Sequence, residues 1–152
     1  MNLRTQIAGI IQENDFEALT VLVDKNQRSV RPLVSLSYAP DKSLRLGAAK
    51  GLALASRNHP KLIVAVLRRL IWAMNDESGT NAVTAPDVVQ AIAEENPSLL
   101  LPFVPDLVRL SADESLYEGL AAALRTVSEK CPGEVGKRLG KDLNRRGVIR
   151  GI

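Results

Sequence analysis

Three prolines, Pro60, Pro97 and Pro132, close stretches of the same layout, at steps of 37 and 35 residues. The clearest copy is DKSLRLGAAKGLALASRNHP, residues 41–60. An Asp opens it, a Leu-Arg pair follows three and four residues later, a helix of small residues comes next, and Asn58, His59 and Pro60 stop it. Weaker copies run over 76–97 and 113–132. A period of this size belongs to stacked helical hairpins, in which no unit buries its apolar face alone and each neighbour completes the core. The spacing therefore predicts an all-α chain.

Composition agrees. Aromatics are only 3% of the 152 residues, so the core must be built from Leu, Ile, Val and Ala, which favours packed helices over a β-sandwich. The length suits one compact unit and is short for two. A single cysteine, Cys131, excludes an internal disulfide and a Cys-cluster metal site. MNLRTQIAGIIQEND has no basic segment leading into an apolar run, so it does not read as a signal peptide. The longest apolar candidate, 62–74, is interrupted by Arg68 and Arg69 and does not read as a membrane span. A soluble, cytoplasmic protein is the expectation. The formal net charge of +3 is uneven: residues 125–152 carry eight Lys/Arg against Glu129, Glu134 and Asp142. The basic character is thus assigned to the C-terminal end.

The periodicity predicts helices from about Leu3 to Gln12, Phe16 to Lys25 behind an Asp15 cap, and Val30 to Tyr38. Asp41 or Ser43 caps a fourth, with Leu44, Ala48, Leu52 and Ala55 inward. Gly47 and Gly51 share one face of it. Each glycine costs roughly 1 kcal/mol in a helix interior, so close approach of a neighbouring helix is the reason to expect. Pro60 opens a fifth helix, and a sixth runs from about Ala85 to Glu95. Pro97 opens the seventh, in which Pro102 and Pro105 predict a bend or a broken first turn. Asp113 caps the eighth, with Leu116, Leu120, Leu124 and Val127 inward, and a basic helix follows over roughly 134–144.

Asp41, Leu44, Arg45, Ala48, Ala49 and Leu52 resemble the second-helix signature of HEAT repeats and of their bacterial HEAT-like relatives of the PBS-lyase type. VRPLVSL at 30–36 and LLPFVPDLVRLSADES at 100–115 resemble the first helix of that repeat. In residues 61–97, Asn81 and Ala82 stand where the best copy has Leu44 and Arg45; the third copy has Leu116 and Tyr117 there. The resemblance implies a short right-handed α-solenoid of about four hairpins, with Asp and Arg interacting between neighbouring repeats. Residues 1–152 would then be a single repeat domain: 1–30 a degenerate first repeat, 31–60, 61–97 and 98–132 the repeats, and 133–152 a basic capping helix and tail.

In this family the second helices line the concave face. Leu46, Lys50, Ala53 and Arg57 are expected there, followed at equivalent positions by Val83, Asp87, Gln90 and Glu94, then by Glu118, Ala122, Arg125 and Glu129. That face runs basic, acidic, mixed, whereas a duplex-binding groove needs a continuous positive track. Mixed charge with Leu46 and Val83 exposed suits a protein or peptide partner. The second candidate is the basic patch Lys137, Arg138, Lys141, Arg145 and Arg146, a capping helix or a docking site for nucleic acid or an acidic partner.

Catalytic candidates are weaker. His59, the only histidine, sits at a helix end with no Ser or Cys aligned to it. Trp72 and Asp76, one turn apart, match the aromatic and Asp of HEAT-like DNA glycosylases, but Trp72 is expected at a repeat interface. The pairs Asp76/Glu77, Glu94/Glu95 and Asp113/Glu114 fall at helix termini, two of the three at helix starts, where acids are expected as caps. The expected function is a non-catalytic scaffold without cofactor or metal, binding a protein partner. A nucleic-acid-binding protein is the alternative, and a glycosylase or bilin-lyase-type enzyme comes third.

Overall fold

A computed structural model describes residues 2–75 and 82–145, with side chains up to residue 139. The protein is all-α; no strand occurs among the described residues. The helices are α1 (Leu3–Gln12), α2 (Phe16–Lys25), α3 (Val30–Leu36), α4 (Lys42–Asn58), α5 (Pro60–Met74), α6 (Ala85–Glu95), α7 (Val104–Leu110), α8 (Glu114–Lys130) and α9 (Glu134–Arg145). Short 3₁₀ segments span Gln27–Ser29 and Pro97–Phe103.

Local chemistry sets these boundaries. Asn2, Asp15, Asp41 and Asp113 each accept a backbone N–H of the first turn, at 2.8, 3.1, 3.0 and 2.9 Å, so α1, α2, α4 and α8 begin where a side chain can satisfy an orphan donor. Asp41, rather than Ser43, is the cap of α4. α5 opens on Pro60, whose missing N–H has no intrahelical partner to lose. α3 stops two residues short of the expected Tyr38, because Pro40 disfavours helical backbone at Ala39 and the chain turns over Ser37–Ala39. Between Pro97 and Pro105 the missing donors convert the expected broken turn into the 3₁₀ segment before α7.

α2, α4, α6 and α8 form a row in which each helix packs on the next, and α4 on α6 and α6 on α8 are the most extensive contacts. α3 and α5 pack on α4, α7 packs on α8, and α9 lies over α7 and α8. The core between them is aliphatic, with Leu33, Leu52, Ile63, Leu67, Ile92, Leu107 and Leu120 fully buried. Gly47 and Gly51 allow the close approach: a Cβ on Gly47 would collide with Ile11, and one on Gly51 would lie 2.7 Å from Leu19 Cδ2.

Two expectations fail. Ala53, expected on the outward stripe of α4, is fully buried, because α4 has neighbours on both flanks of the row and its small residues face both. Trp72 is not at an interface: it is 62% exposed, since the buried positions of α5 are Ile63, Val66, Leu67, Leu70, Ala73 and Met74, and Trp72 lies off that stripe. The loop between α5 and α6, with Asp76 and Glu77, lies outside the described residues apart from its ends.

Candidate functional site

The row is tied together by polar contacts at both ends. Near the helix starts, Arg45 Nε donates to Asp87 Oδ2 at 3.2 Å and joins α4 to α6. The same guanidinium donates to the carbonyls of Ala39 and Pro40 at 3.3 and 3.4 Å, so it also closes the α3–α4 turn. At the helix ends every neighbouring pair is linked. Asn58 Nδ2 lies 3.4 Å from Asp24, and His59 Nε2 lies 2.8 Å from it, joining α4 to α2. Arg57 pairs with Glu95, and Asn96 donates to the Ser56 carbonyl at 3.3 Å, joining α4 to α6. Lys130 Nζ donates to the Glu94 carbonyl at 2.5 Å and joins α8 to α6. Midway, Gln90 Nε2 donates to Thr126 Oγ1 at 3.3 Å and to Glu94 Oε1 at 3.0 Å, while Gln90 Oε1 is buried without a protein partner.

These ties sort the residues assigned to the binding face. Arg57, Asp87, Gln90 and Glu94 are engaged with neighbouring helices, and Lys50 Nζ lies 4.4 Å above the Phe16 ring. Leu46 and Val83 are exposed, at 42% and 48%, as are Glu118, Arg125 and Glu129. Tyr117, which sequence reasoning missed, is 59% exposed in the first turn of α8. Leu46, Val83 and Tyr117 all stand at the N-terminal ends of the row helices.

The repeat-motif residues divide by environment. Asp41 caps α4 from an exposed position, Leu44 and Arg45 are half-buried, and Ala48, Ala49 and Leu52 are in the core. In the C-terminal patch, Lys137 is exposed 3.7 Å from Glu134 and Arg138 is half-buried. Lys141 and Arg145 belong to α9 but their side chains lie outside the described residues, as does Arg146 altogether. Val135 and Leu139 seat α9 on the rest of the chain.

Among the described residues the catalytic candidates are not assembled, and Asp76 and Glu77 lie outside those residues. His59 meets Asp24 on one ring nitrogen and Gln27, at 3.4 Å, on the other, so both nitrogens are taken and neither faces a hydroxyl or thiol. Cys131 is half-buried at the end of α8, against the core. Glu94 and Glu95 pair with Lys130 and Arg57, and Asp113 caps α8. No group of three or more His, Cys, Asp or Glu able to hold a metal occurs among the described residues, and none of their helices is long and apolar enough to cross a membrane.

A second surface was not anticipated. α3 and α5 flank a groove of about 960 Å³ with Arg28, Arg31, Arg69 and Tyr38 in its lining. Its cations come from segments about forty residues apart, which a count over long stretches averages away. The legible signal is that 27–36 and 60–74 together hold five Lys/Arg (Arg28, Arg31, Lys61, Arg68 and Arg69) and no Asp or Glu.

The chain matches no protein-family model, no curated protein and no solved structure.

Proposed function

We propose that the chain is a HEAT-like module, a short right-handed α-solenoid of about four hairpins, and that it acts without catalysis by binding a protein or peptide partner on the face of the α4, α6 and α8 row. The observation that carries this reading is that Leu46, Val83 and Tyr117 are all exposed toward the N-terminal ends of the row helices, while Arg57, Asp87, Gln90 and Glu94 of the same face are tied to neighbouring helices. Exposed apolar residues rimmed by charge are a feature of protein interfaces, where a few anchors carry most of the energy. Glu118 lies beside Tyr117, and Arg125 and Glu129 continue the charged surface toward the other end of α8. The Arg45–Asp87 pair links successive row helices, although Asp87 stands at the position of Lys50 in the best copy and not at that of the motif Asp41.

The test is capture of partners with the wild-type chain and with Leu46→Glu/Val83→Glu. Both residues are exposed, so the fold should survive. Partners retained by the wild type should be lost by the double variant and kept by Lys137→Glu/Arg138→Glu. Nucleic acid should bind only weakly, of the order of 10⁻⁴–10⁻⁶ M, the range of any basic patch. Submicromolar, sequence-selective binding at physiological salt, weakened by changes at Lys137 and Arg138, would replace this reading with the nucleic-acid alternative.

A further inference from the structure

The groove between α3 and α5 combines two properties. Its floor is aliphatic, built from Val30, Val34, Leu62 and Val66. Its rim is cationic, with Arg28 and Arg31 on one side and Arg69 on the other. Lys61 and Arg68, both exposed on α5, extend the same positive field. None of these five cations forms an ion pair or a side-chain hydrogen bond among the described residues. Elsewhere Arg45, Arg57, Arg109, Lys130 and Lys137 have carboxylate partners, and Lys50 lies over the Phe16 ring. The other cations without a carboxylate among the described residues, Arg4, Lys25, Lys42, Arg125 and Arg138, are spread singly over α1, α2, α4, α8 and α9. The carboxylate at the Gln27 end of the groove, Asp24, is already held by Asn58 and His59.

Like charges gathered on two adjoining elements repel, and no carboxylate of those elements relieves them. An anionic partner would. The floor decides its class. Phosphate and sugar gain little from an aliphatic floor, and the lining holds a single ring, Tyr38, and not the more exposed Trp72, so it offers no row of rings on which successive bases could stack. A peptide with an apolar stripe gains from both parts of the groove: its aliphatic side chains cover the valines and Leu62, and its carboxylates meet planar guanidinium forks that suit them two oxygens at a time.

We propose that this groove is a docking site for an acidic amphipathic peptide segment of a partner protein, lying between α3 and α5 with its apolar stripe on Val34, Leu62 and Val66 and its carboxylates on Arg28, Arg31 and Arg69. Helical peptides commonly lie in grooves between helices in this way. From Leu62 to Arg69 the groove wall advances about 10 Å along α5, so about two turns of a helical peptide span it. The site uses other elements than the Leu46, Val83 and Tyr117 surface, and either one can fail without the other.

The test is fluorescence anisotropy of the full chain with a labelled helical peptide of roughly four turns, carrying Leu at i, i+3, i+4 and i+7 and Glu elsewhere. Its Gln-for-Glu counterpart and a single-stranded oligonucleotide of equal charge serve as comparisons. The acidic peptide should bind at least about tenfold more tightly than the Gln peptide and weaken as salt rises. Arg31→Glu/Arg69→Glu should reduce its affinity by at least about tenfold, Arg31→Gln/Arg69→Gln should reduce it less, and Leu46→Glu/Val83→Glu should leave it unchanged. All four substituted side chains are exposed, and circular dichroism melts verify the folds. Equal binding of the acidic and Gln peptides, or wild-type affinity in both arginine variants, would overturn the proposal. Tighter binding of the oligonucleotide than of the acidic peptide at about 0.15 M salt would overturn it too, in favour of nucleic acid.

Discussion

At the scale of single residues, one substitution should have opposite signs at two glycines. Gly9 in α1 has nothing within 4 Å of where a Cβ would stand, so Gly9→Ala should stabilise by roughly 0.5–1 kcal/mol through helix propensity and a less flexible unfolded chain. At Gly47 the same Cβ meets Ile11, and overpacking of about 1–3 kcal/mol should outweigh that gain. Chemical denaturation of Gly47→Ala in wild-type and Ile11→Ala backgrounds tests the cause. The change should turn stabilising once Ile11 is cut back, and an unchanged sign would mean that Ile11 is not the obstacle. Tyr38 supplies a pH prediction. Burial raises its pKa above the ordinary 10.0, so the folded chain keeps a proton that the unfolded chain releases. Tyr38 therefore contributes stability that is complete below pH 10 and is lost as pH rises from there through the folded value. Tyr38→Phe should show a shallower alkaline loss of stability; an identical profile would show that Tyr38 ionises alike in both states.

At the scale of elements, the inter-helix ties should be unequal. Asp87→Asn removes one half-exposed ion pair, which is worth about 0–1 kcal/mol at such a site. Arg45→Met also leaves the Ala39 and Pro40 carbonyls without their donor, so it should cost more than Asp87→Asn. Equal losses would assign all of the arginine's contribution to its carboxylate. Helix starts were legible in the sequence because they depend on neighbours three residues away: Asp15, Asp41 and Asp113 announce their helices, and Pro60 announces α5. Which face a helix buries was legible only where one neighbour decides it. Leu52 and Leu120 lie on simple apolar stripes and are buried as read. Ala53 is buried because a second neighbour covers the other flank of α4, and no pattern within 41–60 reveals a second neighbour. Trp72 failed in the opposite sense: size and hydrophobicity suggested an interface, but the stripe of α5 left the ring outside.

At the scale of the whole molecule, the candidate sites were the least legible part, for a geometric reason. Leu46 and Val83 were readable as exposed, whereas the engagement of Arg57, Asp87, Gln90 and Glu94 depends on partners some forty residues distant in the chain. The α3/α5 groove was hidden in the same way, since residues 1–124 carry 12 basic against 14 acidic residues and mask a local cluster of five cations. How the row holds together is open to a direct measurement. In an array of repeats each unit contacts only its neighbours, and stability is a sum of local and nearest-neighbour terms. Leu120→Ala and Leu52→Ala each remove a fully buried leucine and should cost about 2–5 kcal/mol locally. α8, which carries Leu120, packs on α6, α7, α9 and the segment Pro97–Phe103, but α4 packs on α1, α2, α3, α5 and α6. Hydrogen exchange of Leu120→Ala should therefore lose protection in α6 to α9 by roughly 30-fold or more, while α1 to α3 keep theirs. Leu52→Ala, at the centre of the row, should lower protection from α1 through α6. A uniform loss across all helices in Leu120→Ala would mean that the chain opens as one cooperative core, and the repeat-array reading would then give way to a single globular helical domain.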